Sequence, residues 1–128
     1  MGGFSHDSLT KLLNDNVAEI VFVKRGGGGS RRMLCTNSKA LLLSAPGQIA
    51  LGYRNPKGVG LKYDPKVRGL VVTFDLFFQG FRQIPLESAQ VVSAIPLKSP
   101  EDMANFWEYF ARKLQNMSAS EKQSFMSK

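Results

Sequence analysis

Two strand-like runs, Val17–Arg25 with its mix of Val, Ile and Phe and an alternating polar Glu19, and Arg31–Thr36, are separated only by Gly26-Gly27-Gly28-Gly29-Ser30. A period of two is the strand pattern. A connection this short, rich in residues that tolerate positive φ, joins strands that run in opposite directions. Residues 17–36 are therefore committed to an antiparallel hairpin with a glycine tip. Gly-Gly-Gly-Gly-Ser is also the composition of a flexible tether. Between Lys24-Arg25 and Arg31-Arg32 it reads as an engineered loop, 26–30, standing in place of a natural tip. On the second strand Arg32, Leu34 and Thr36 share one face, and Arg31, Met33 and Cys35 share the other.

The other elements arrange themselves around this hairpin. Ser5–Asn14 carries Leu9, Leu12 and Leu13 at helical spacing, with Ser5 or Asp7 as cap. Asn37–Ser44 has room for one or two helical turns capped by Asn37 or Ser38, with Pro46-Gly47 as the stop. A short strand is expected over Gln48–Tyr53, then a turn-rich basic stretch to Gly69. Further strands are expected over Leu70–Phe77, Phe81–Ile84 and Gln90–Ile95, the first two joined at Gln79-Gly80, where glycine supplies positive φ. Ser99 caps the strongest helix, with Pro100 in its first turn and Met103, Phe106, Trp107, Phe110, Leu114 and Met117 as one apolar stripe. Ser118-Ala-Ser-Glu121 offers a capping box for a last short helix bearing Phe125 and Met126, a tail that either docks or frays.

This order predicts one α+β domain over 1–128: an N-terminal helix (1–16), a β-rich unit (17–97) and C-terminal helices (99–128). The β-rich unit is either a small curled antiparallel sheet or an SH3-like barrel, with the amphipathic helix packed on it.

Residues 70–95 also carry a resemblance. An apolar strand ends in Asp75, a turn leads to the aromatic-arginine pair Phe81-Arg82, and the apolar-acidic step Leu86-Glu87 precedes a final strand. This layout resembles the last strands of small SH3-like or Sm-like barrels, among them bacteriophage-encoded barrels and the barrel of bacterial WYL domains. The resemblance implies a barrel and a ligand contact at Arg82. Pro85 and Ser88 stand where WYL domains tend to carry further arginines, so Arg82 alone carries over.

Charge narrows the function further. Of the 17 Lys and Arg residues, ten lie between Lys24 and Arg68, where Asp64 is the one acid, so this segment carries +9 of a net +7 and the remainder carries −2. Such separation creates a local positive field that attracts phosphates or an acidic protein surface. Enzymatic chemistry is poorly served. Cys35 is the single cysteine and alternates as a core residue, while His6 is the single histidine. Metal sites built from His and Cys lack ligands, and Asp64, Asp75 and Glu87 have no spacing that marks a catalytic pair. The glycine run is not followed by Gly-Lys-Ser/Thr and is no phosphate loop. No cofactor and no metal is expected. The start, Met1–Asp7, lacks the basic end and apolar run of a signal peptide, so the expected setting is cytoplasmic, the host cytoplasm for a phage-encoded chain.

The leading expectation is a non-enzymatic nucleic-acid-binding domain, DNA or RNA. Its positive surface is formed by the 24–32 hairpin (Lys24, Arg25, Arg31, Arg32) and the 54–68 loop (Arg54, Lys57, Lys62, Lys66, Arg68), with Arg82 beside them. Tyr53 and Tyr63 among these cations suit stacking on unpaired bases, or serve as barrel residues with exposed hydroxyls. The alternative is a protein-interaction module, a small inhibitor or adaptor docking on an acidic surface such as that of a nucleic-acid enzyme. Phe77-Phe78 or Phe125-Met126 would be its apolar anchors.

Overall fold

The hairpin forms as β1 (Asn16–Val23) and β2 (Ser30–Thr36), paired antiparallel from Ala18↔Cys35 to Val23↔Ser30, in a computed structural model that describes residues 4–51 and 64–126. The Lys24 amide donates to the Gly29 carbonyl at 2.8 Å and closes the tip. Gly26, Gly27 and Gly29 take φ near +80°, a region that strains any residue with a Cβ.

Three more strands extend this pair. β3 (Leu70–Asp75) joins β2, β4 (Gly80–Pro85) joins β3, and β5 (Gln90–Pro96) joins the far side of β1, giving the antiparallel order β4-β3-β2-β1-β5. The sheet is open. β4 and β5 do not pair with each other, so of the two expected architectures the curled sheet is observed and the SH3-like barrel is not. Closure would need a ladder between these edges. Pro85 and Pro96, which lack an N–H, end them instead. The link between β4 and β5 reaches back to β1 through a side chain: Ser88 Oγ accepts from the Val23 amide at 3.0 Å and donates to the Val23 carbonyl at 3.3 Å.

Alternation sends apolar side chains to both faces, and helices cover each. On one face Ala18, Ile20, Met33, Cys35, Val71 and Ile84 pack with Leu9 and Leu13 of α1 (His6–Asp15). α1 starts at a reciprocal cap, in which Ser5 Oγ accepts from the Ser8 amide and Ser8 Oγ accepts from the Ser5 amide. Cys35 lies in this core, and burial pushes its thiol well above the usual range. On the other face Val17, Leu34 and Phe74 meet Phe106, Trp107 and Phe110 of α4 (Pro100–Asn116) and Phe125 of α5 (Ala119–Met126). Phe125 is fully buried, so the tail docks rather than frays.

Between β2 and β3 the expected order changes. α2 (Lys39–Leu42) is capped by Ser38, as one of the two expected caps. Pro46-Gly47 then does not stop a helix but opens α3 (Ala45–Ala50), with Ser44 as cap and Pro46 in the first turn, where its missing N–H costs nothing. Gln48–Ala50 is thus helical, not the start of a strand, and Leu51 ends that helix; Gly52 and Tyr53 of the expected strand lie outside the described residues. Trp107 decides this. Its Nε1 donates to the Leu41 carbonyl (3.2 Å) and Ser44 Oγ (3.1 Å), and α3 folds over the indole. A Cβ at Gly47 would lie 2.5 Å from the Leu41 carbonyl oxygen and 3.0 Å from the Trp107 ring, so only glycine lets these helices close. Among the described residues no helix is long and apolar enough to cross a membrane.

Candidate functional site

β2 and β3 pair only at Cys35↔Asp75 and Thr36↔Phe74. Toward the hairpin tip β2 continues alone while β3 turns over into β4. Residues from both sides of this divergence line an open cleft of about 730 Å³. Its cations are Lys24, Arg25, Arg31, Arg68 and Arg82, and no carboxylate is among its lining residues. Phe22, Phe78 and Phe81 form its aromatic walls.

The floor is built by the turn from β3 to β4. Asp75 is fully buried, and its Oδ1 accepts from the amides of Phe77 and Phe78, both at 3.1 Å. Its Oδ2 accepts from Arg82 Nε at 2.9 Å. Burial pushes the Asp75 carboxyl up; the Phe78 amide, the Arg82 guanidinium and the Phe77 amide pull it back. The Gln79 amide donates to the Asp75 carbonyl at 2.7 Å, and positive φ falls on Gln79 (+59°) rather than on Gly80. Glycine is needed at 80 for space instead: a Cβ there would stand 2.9 Å from the Phe78 ring. That ring is 40% exposed and lies beneath the Arg82 guanidinium, 3.7 Å from its centroid. Phe77 turns the opposite way and packs on Phe110 and Phe125.

Arg31 sits deeper, with 6% of its surface exposed. Burial, and then the neighbouring charge of Arg82, press its pKa down, while Asp75 presses it up. The guanidinium remains charged, so an anion brought to this position would be stabilised by both arginines.

At the rim, Arg25 Nε and a terminal nitrogen reach the two oxygens of Glu87 at 2.8 and 2.7 Å, fastening the hairpin to the β4–β5 connection. The hydrogen bond from Arg25 is the main reason that Glu87 falls from an ordinary 4.5 to about 2. A depressed carboxylate contributes stability above its unfolded pKa and loses it as pH falls through the folded one. The tie should therefore hold above about pH 4.5 and release toward pH 2, as a titration of the Glu87 carboxyl carbon by NMR would show. Both side chains are about half exposed, so salt should weaken the tie.

The remaining expected site residues are placed elsewhere. Arg32 projects from the opposite face of β2, where its Nε donates to Glu19 at 2.8 Å and its guanidinium covers the Phe125 ring at 4.4 Å. Lys66 is exposed and lies 3.5 Å from Asp7 at the start of α1, away from the cleft lining. Tyr53, Arg54, Lys57, Lys62 and Tyr63 lie outside the described residues. Phe125 is core and no docking anchor; the side chain of Met126 is also outside the described residues. The sequence pattern does not mark Phe22 and Phe81 as cleft walls. Alternation marks Phe22 as sharing a face with Ile20, but only the divergence of β2 from β3 uncovers its edge beside cations.

The chain matches no known protein family, curated protein or solved structure.

Proposed function

We propose that this protein is a non-enzymatic nucleic-acid-binding domain that holds the phosphate backbone in the cleft between the hairpin and β4. The observation that carries the reading is the convergence of Lys24, Arg25, Arg31, Arg68 and Arg82, from distant parts of the chain, on one concave surface lined by aromatic rings and no carboxylate. A concave wall concentrates a positive field, and the partly exposed Phe78 ring with the Arg82 guanidinium stacked on it offers a combined surface for a base to pack on. Of the four apolar anchors available to the alternative, a protein-docking module, Phe77 and Phe125 are spent in the core. That leaves the protein-docking reading less support.

The test is fluorescence anisotropy with labelled oligonucleotides of mixed sequence across a salt series. Binding should be measurable at low salt and weaken linearly in log-log form as counterions compete. Lys24→Glu with Arg68→Glu should reduce affinity by about 10- to 100-fold and flatten the salt slope by about 1–2. Absence of binding at low salt would overturn the reading.

A further inference from the structure

A second depression of about 390 Å³ lies between β2 and α5, lined by Ser30, Arg31, Arg32, Ser120, Gln123 and Ser124. Arg31 lines this groove and the cleft alike, so the two meet at that residue. The meeting point has a structural cause. Among the described residues no strand pairs with Ser30–Met33 on the side away from β1, because β3 engages β2 only from Cys35 onward. Arg31 therefore links the cleft, at this uncovered edge, with the face where α5 sits. Gln123 and Ser124 are exposed on α5, while Phe125 beneath them is buried and holds the helix in place.

We infer that the groove under α5 is a second subsite, and that the ligand is a single nucleic-acid strand bending around the β2 edge from the cleft into it. This rests on the proposed nucleic-acid function and adds the strandedness of the ligand and the role of α5. The path passes from one face of the sheet to the other at adjacent residues, Arg31 and Arg32, a bend a flexible single strand follows and a stiff duplex does not. Arg31 is also recessed, reached by an inserted phosphate of a flexible strand and not by the outer surface of a double helix. In the groove, the Arg32 guanidinium is held by Glu19 and Phe125 with its side chain 36% exposed, while Ser30, Ser124 and Gln123 supply neutral donors for phosphate and sugar.

Length dependence tests this. Oligothymidylates of about 4 and about 16 nucleotides span the range that one small binding fold occupies. The longer should bind more tightly than the statistical gain in sites allows, with a steeper salt dependence, and a duplex of equal length should bind more weakly than the long single strand. Gln123→Glu with Ser124→Glu should lower affinity for the long strand about tenfold and leave the short one unchanged. Gln123→Lys with Ser124→Lys should raise long-strand affinity by a similar factor. A lysine pair favours the C-terminal end of a helix, so that gain cannot arise from unfolding α5. If neither pair alters long-strand binding while Lys24→Glu with Arg68→Glu weakens it, the second subsite is overturned and the cleft reading stands. If the duplex binds as tightly as the long single strand, the single-strand assignment is overturned. If no oligonucleotide binds at low salt, the cleft reading falls, and the second subsite with it.

Discussion

Asp75→Asn should lower the stability of the fold by about 3–5 kcal/mol, the scale set by breaking a buried ion pair from one side. Ionisation by itself is no gain for this residue. Its carboxyl is pushed up by burial, and a raised folded-state pKa contributes stability at low pH that is lost as pH rises. The cost of the substitution arises from what is left behind. Two backbone amides and the Arg82 Nε–H all point at the carboxylate. An asparagine oxygen can serve the amides, but its NH2 then faces a guanidinium, donor against donor. Arg82, partly buried at the cleft wall, would lose the carboxylate that offsets its charge, and the turn holding Gln79 at positive φ would lose its clamp. Urea unfolding measures the loss; a change below about 1 kcal/mol would refute this account of the turn. Adding Arg82→Met to Asp75→Asn should recover part of the loss, since the stranded charge goes with it.

The second large effect is expected at the penultimate residue of α5. Phe125→Ala should cost about 3–5 kcal/mol, as for other fully buried phenylalanines. The ring is 4.9 Å from that of Phe77, and Arg32 and Lys113 lie over it at 4.4 and 5.3 Å. α5 has little amphipathic periodicity and is short, so it has small helical tendency of its own. Among the described side chains of α5, Phe125 is the one that is buried. Urea unfolding should show the loss, and far-UV circular dichroism should show a helical decrease beyond one residue. A loss under about 1 kcal/mol would mean that α5 is held otherwise.

Elements defined by local chemistry were legible in the chain. The Ser5 cap, the glycine-tipped hairpin and the Ser99-Pro100 start with its stripe through Met117 depend on residues a few positions apart, and each forms as read. Where long-range packing intervenes, local reading fails. Pro46 signals an end as readily as a first turn, and Trp107, some sixty residues away, selects the first turn. Positive φ at Gln79 rather than Gly80 is likewise set by Asp75 and by the Phe78 ring.

For the site, composition and order by themselves determined a basic central segment, an antiparallel hairpin flanked by cations and an α+β arrangement. Tertiary structure decided which cations act together. Arg31 and Arg32 are neighbours in the chain, yet the period-two alternation of β2 sends them to opposite faces, one into the cleft and the other onto Phe125. Arg82 lies far from both in sequence and joins Arg31 because β3 leaves β2 after two residue pairs. Side-chain direction follows from the local period. Convergence depends on how far two strands stay paired, and that is set by the packing of the whole sheet.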